Sequence, residues 1–132
     1  MMRRERMAEG GRNMATEPWK TMQGAPAPGQ EIIALDALEQ GVRVLTLEEF
    51  GVILLREGDS VRAYWNACPH QYLPLDWRAP SILSADGTKL MCSNHAAIFD
   101  ARTGAPAEGS IPVSCGLWAI PIAVEGGKVV AA

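Results

Sequence analysis

Two short stretches constrain what this chain can become: Cys68-Pro69-His70 and Cys92-Ser93-Asn94-His95. The protein has two histidines and three cysteines. Both histidines and two of the cysteines fall here, each cysteine just ahead of its histidine. Thiolates and imidazoles are soft to borderline donors, suited to zinc or iron–sulfur rather than to magnesium or calcium. Four such donors serve one centre only if the fold returns residues 92–95 to residues 68–70. Any architecture for the chain has to make that return.

The 21 residues between His70 and Cys92 contain the means of doing so. Ile82-Leu83 and Lys89-Leu90-Met91 flank Ser84-Ala85-Asp86-Gly87-Thr88, and Asp-Gly between apolar runs is a strong hairpin signal. Upstream, Glu31–Leu35, Val42–Leu47, Val52–Arg56 and Val61–Asn66 are predicted strands, rich in β-branched and aromatic residues. Polar turns at Glu39-Gln40-Gly41 and Glu57-Gly58-Asp59-Ser60 separate them. Downstream, Ile98–Asp100 leaves the second ligand stretch as a strand, and Arg102-Thr103-Gly104 turns it. Leu117–Val124 and Lys128–Ala131 then close a hairpin across Gly126-Gly127. Residues 67–81 carry Pro69, Pro74 and Pro80, too many for a central strand, and read as a rigid loop. A second irregular stretch runs from Ala105 to Cys115 with Pro106 and Pro112. Short strands at this spacing predict an all-β fold of antiparallel sheets.

Residues 1–30 differ in kind. They hold five of the six methionines, Gly10-Gly11 and the run Gly24-Ala25-Pro26-Ala27-Pro28-Gly29, with no sustained period of 3.6 or 2. This composition predicts a disordered tail or linker ahead of one domain at 31–132. The formal net charge of −3 divides unevenly between them: five Lys/Arg face three Glu in 1–30, and seven face twelve Asp/Glu thereafter. An acidic domain lacks the basic footprint that nucleic-acid binding requires and suits docking on a basic partner surface. No stretch approaches the roughly 18 apolar residues of a membrane span. Arg3-Arg4 is not followed by the apolar core of an export signal. The chain is therefore expected in the cytoplasm, where three cysteines do not imply a disulfide framework. No nucleophile–base pair, phosphate loop or mononuclear iron triad is visible, so no small-molecule substrate of its own is expected.

Two Cys and two His fit a tetrahedral zinc shell. Zinc modules, however, usually draw paired cysteines from one knuckle and paired histidines from another element. Mixed Cys…His pairs in the same order fit a binuclear centre better.

The surrounding residues resemble the Rieske 2Fe-2S proteins over roughly residues 30–132. The resemblance rests on Asn66-Ala67-Cys68-Pro69-His70, Leu75-Asp76, Cys92-x-x-His95 with Phe99-Asp100 and Thr103-Gly104, and Leu117-Trp118-Ala119-Ile120-Pro121-Ile122 before Gly126-Gly127-Lys128. It implies a Rieske domain, with antiparallel sheets and a small cluster-binding subdomain, and one 2Fe-2S cluster per chain. In this family histidines replace cysteines on one iron. Cys68 and Cys92 would accordingly hold one iron, and His70 and His95 the outer one. It further implies a ferredoxin: an electron carrier, not catalytic alone, between a flavin-dependent reductase and a terminal oxygenase or related oxidoreductase. Alternatives are a small Rieske subunit bound within a larger enzyme such as a nitrite reductase, a redox-sensing regulator, or a zinc module.

Departures from the family pattern carry information. High-potential members have an extra, disulfide-bridged cysteine in each loop, at positions matching Leu73 and Asn94 here. They also have a serine and a tyrosine where this chain has Ala97 and Phe99. Loss of hydroxyl donors withdraws stabilisation from the reduced, more negative cluster and predicts a low potential. Ala96 stands where the family usually has glycine, at a cost of about 1–2 kcal/mol if that position needs a positive φ. Trp65, Trp77 and Trp118 are expected to pack, Asp76 and Asp100 to shape turns, and Cys115 to be a thiol outside the ligand set.

Overall fold

A computed structural model describes residues 18–69, 73–77, 82–92, 97–108, 110 and 116–132. Eight strands follow in order: β1 (Glu31–Ala34), β2 (Gly41–Leu47), β3 (Phe50–Glu57), β4 (Ser60–Trp65), β5 (Lys89–Met91), β6 (Ile98–Asp100), β7 (Ile122–Glu125) and β8 (Lys128–Ala131). They form a terminal sheet β1-β8-β7, a central sheet β2-β3-β4 and a two-stranded hairpin β5-β6, with every pairing antiparallel. The all-β expectation and the strand positions hold. The run Leu117–Val124 is the looser case, since Ala119 makes only an isolated bridge to Tyr64 before β7 begins.

The two-residue period of β3 divides the molecule. Phe50, Val52 and Leu54 face one core together with Ala63 and Trp65 of β4, and meet Ile32, Leu38, Ile120 and Val129 from the side of the terminal sheet. Ile53 and Leu55, with Tyr64, face a second core that contains Cys68, Leu75, Ile82, Leu90, Cys92 and Phe99. Successive strand residues point to opposite faces, so an almost unbroken apolar run is what a strand buried on both sides requires. The central sheet is thus a middle layer, with the remaining strands on its two faces.

The chain before β1 is described from residue 18 onward. Residues 18–30 fold onto the body: Pro18–Thr21 is a 3-10 turn, and Trp19 is 3% exposed within the first core. Its ring meets Phe50, which stacks on Trp65, which in turn meets Trp118. Gly29 N–H donates to Ala131 O, and Ala131 N–H donates to Gln30 O, so β8 fixes the segment that leads into β1. A composition that averages to linker conceals one large apolar side chain, and its burial is enough to seat the segment. Residues 1–17 lie outside the described residues.

Candidate metal centre

The path from β4 to Cys68 is short and held at each step. Trp65 N–H donates to Trp118 O at 2.9 Å, Asn66 N–H to Gly51 O at 2.9 Å, and Ala67 N–H to Trp65 O at 2.8 Å. Cys68 N–H then donates to Leu73 O at 2.8 Å, closing the base of the loop that holds His70 in sequence. The second loop repeats the device. Cys92 N–H donates to Ala97 O at 2.9 Å, with His95 in sequence between them. Each candidate cysteine therefore stands at a loop base and spends its own N–H five residues ahead.

The hairpin expected at Asp86-Gly87 delivers the second loop. Leu83 bridges Leu90, Ser84 N–H donates to Lys89 O, and Met91 N–H donates to Ile82 O. Gly87 takes φ +77°, the left-handed conformation this turn demands. Asp86 accepts from the Ser84 and Thr88 hydroxyls and the Thr88 N–H, which hold its carboxyl well below the usual carboxylate range. β5 pairs with β6, and Ala105, Ala107 and Ser110 lie beside β6 through Asp100 N–H to Ala105 O, Ala107 N–H to Ile98 O and Ile98 N–H to Ser110 Oγ.

Tyr64 locks this subdomain to the central sheet. It is buried, its hydroxyl donates to Ala101 O at 2.8 Å, and burial raises its pKa. Asp100 shapes the adjoining turn as expected: it accepts from the N–H groups of Arg102 and Thr103, which lower its pKa. Arg102 reaches back to Glu57 at 2.9 Å and lowers that carboxyl too.

Cys68 and Cys92 are 1% and 4% exposed, lie in the same apolar core and form no disulfide. Two thiols brought dry into one core from two loop bases suit a shared soft metal centre. His70, His95, Tyr72, Ala96, Pro112 and Cys115 lie outside the described residues. With both histidines among them, no group of three or more metal-binding side chains occurs among the described residues. Trp65 and Trp118 pack as expected, but Trp77 does not: it is 62% exposed, on a turn closed by its N–H to Pro74 O. Trp19, Tyr64 and the side-chain bonds of Asn66 escape sequence reasoning, because their partners are distant in the chain. A tryptophan just ahead of a Pro/Gly run was the available signal for the first.

A model of the Rieske [2Fe-2S] domain matches residues 30–115. A comparison with curated proteins found no match. Among solved structures, the chain is similar to the ferredoxin of carbazole 1,9a-dioxygenase from Nocardioides aromaticivorans IC177, at 29% identity and a TM-score of 0.64 over 80% of this chain and 98% of that one. A complex of reduced oxygenase and oxidized ferredoxin in carbazole 1,9a-dioxygenase contains a similar chain, at 25% identity and a TM-score of 0.60 over 77% of this chain and 99% of that one. The terminal oxygenase of carbazole 1,9a-dioxygenase from N. aromaticivorans IC177 shares the fold at 20% identity and a TM-score of 0.62, over 80% of this chain but 30% of its own. The family match spans most of the domain and both loop bases, and on that ground the chain belongs to the Rieske family, which binds a Rieske-type 2Fe-2S cluster.

Proposed function

We propose that this protein is a soluble, cytoplasmic, low-potential Rieske ferredoxin, with residues 18–30 packed onto the domain at 31–132. It takes single electrons from a flavin-dependent reductase and passes them to an oxygenase or a related oxidoreductase. The observation that carries this reading is the likeness to a ferredoxin along 98% of that ferredoxin's length. The 2Fe-2S cluster, when bound, supplies reversible one-electron chemistry.

The ligand set in this reading is Cys68 and Cys92 on one iron, with His70 and His95 on the other. Burial of both thiols supports the inner position for that pair, since exclusion of water protects a thiolate-held iron. The same surroundings support a low potential. Ala97 and Phe99 are fully buried beside Cys92 and bring no hydroxyl to the site, and the Ala97 carbonyl is engaged by Cys92 N–H. The lack of a hydroxyl at these two positions favours the oxidised, less negative state, toward the low end of the Rieske range at roughly −150 mV.

Size-exclusion chromatography of the native protein, followed by a redox titration, tests the proposal. A carrier elutes by itself and titrates near the low end of the range. Stoichiometric co-elution with a large partner would favour a permanently bound subunit. A midpoint above about +100 mV would contradict the argument from Ala97 and Phe99.

A further inference from the structure

Asn66 is a buried polar side chain, 7% exposed, two residues ahead of Cys68. A buried carboxamide costs free energy unless its donors and acceptor are paired. Its partners lie on neither strand neighbour. Asn66 Oδ1 accepts from Leu75 N–H at 2.8 Å, and Asn66 Nδ2 donates to Asp76 Oδ1 at 3.0 Å. Leu75 itself is fully buried in the same core as Cys68. Gly51 leaves the space that the side chain occupies, since a Cβ there would meet Asn66 Cβ at 3.1 Å. The backbone of Asn66 is meanwhile fixed to Gly51 O.

The Cys68 loop is therefore closed twice. A backbone bond joins Cys68 to Leu73, and the Asn66 carboxamide joins the end of β4 to the outgoing limb at Leu75 and Asp76. We propose that Asn66 is a positioning residue for the cluster, holding the two limbs of this loop together and so setting the geometry in which Cys68 presents its sulfur. This rests on Cys68 being a ligand, as proposed above. Outer-shell hydrogen bonds of this kind orient metal ligands, and their loss commonly costs ten- to a hundredfold in metal affinity.

A polarity swap tests it on the cluster-loaded, full-length protein. Asn66→Asp keeps an acceptor for Leu75 N–H but sets a carboxylate against Asp76. Asp76→Asn keeps an acceptor for Asn66 Nδ2. The double variant Asn66→Asp/Asp76→Asn restores a donor–acceptor pair with the original net charge. Two readouts are taken: the rate of cluster bleaching by an iron chelator, and the g values of the reduced protein, which global stability alone does not move.

The expected result is bleaching about ten- to a hundredfold faster in Asn66→Asp, with shifted g values. Asp76→Asn stays close to the parent protein, and the double variant recovers both readouts. An Asn66→Asp protein that takes up no cluster while the double variant does is the same result in its extreme form. Unchanged g values in Asn66→Asp, or a double variant no better than Asn66→Asp, would overturn the proposal. A parent protein that loads no Rieske-type cluster would instead sink the functional reading on which it rests.

Discussion

At the scale of single residues, Tyr64 ties the hairpin subdomain to the central sheet. Tyr64→Phe removes the hydroxyl and leaves Ala101 O without that donor, so a loss of about 1–2 kcal/mol is expected in urea unfolding. Gly104 faces the same ring: it has φ +78°, and a Cβ would meet Tyr64 Cε1 at 2.9 Å and Leu117 O at 3.2 Å. Gly104→Ala should cost about 2–4 kcal/mol, combining left-handed strain with overpacking, and a stability within 0–1 kcal/mol of the parent would refute the contact. Asp86 gives a pH dependence with a definite sign. Its pKa is depressed in the folded state by the Ser84 and Thr88 bonds, so its contribution is complete above the unfolded carboxylate value of about 4. The contribution is lost as pH falls through the folded value. The stability advantage of the parent over Asp86→Asn should be flat from neutral pH down to about 4 and shrink progressively below it. An advantage that grew on acidification would contradict the turn geometry.

Among the elements, β2 and β3 are joined by a two-residue turn, Glu48-Glu49, both at positive φ (47° and 76°). Such turns favour Asn-Gly, and two glutamates there explain why the sequence places the strands correctly but leaves the turn obscure. Glu48→Asn/Glu49→Gly should stabilise the protein by about 1–2 kcal/mol in urea unfolding, through relief of left-handed strain. The Pro18–Thr21 segment makes the opposite point. Strand periodicity, Asp86-Gly87 and the paired Cys…His stretches are local signals, so the sheets, the hairpin and the loop bases at Cys68 and Cys92 were legible. Trp19 and Asn66 act through Phe50, Leu75 and Asp76, and nothing local announces such partners. Trp77 was misread for the same reason, since aromatic character alone does not tell a packed ring from an exposed one. Trp19→Ala should cost about 3–5 kcal/mol, as for other large core truncations. A negligible change in thermal unfolding would restore the reading of residues 18–30 as a tail.

On the scale of the whole molecule, the central sheet separates two tasks. One face packs against the terminal sheet and supplies a conventional apolar core, while the other supports the hairpin and the loop bases that carry Cys68 and Cys92. Among the described residues, Ile53, Leu75, Ile82, Leu90 and Phe99 pack with those thiols in the second core, and the Tyr64 hydroxyl there is engaged by Ala101 O. No helix among the described residues is long and apolar enough to cross a membrane.

Cys68, His70, Cys92 and His95 are the proposed ligands of the Rieske-type cluster. Low-temperature EPR of the dithionite-reduced protein, with detection of nitrogen couplings, tests this ligand set most directly. The account predicts a paramagnetic 2Fe-2S signal carrying couplings from two imidazoles, absent from Cys68→Ala and Cys92→Ala. A colourless, EPR-silent protein after cluster loading, or a signal without nitrogen coupling, would contradict it.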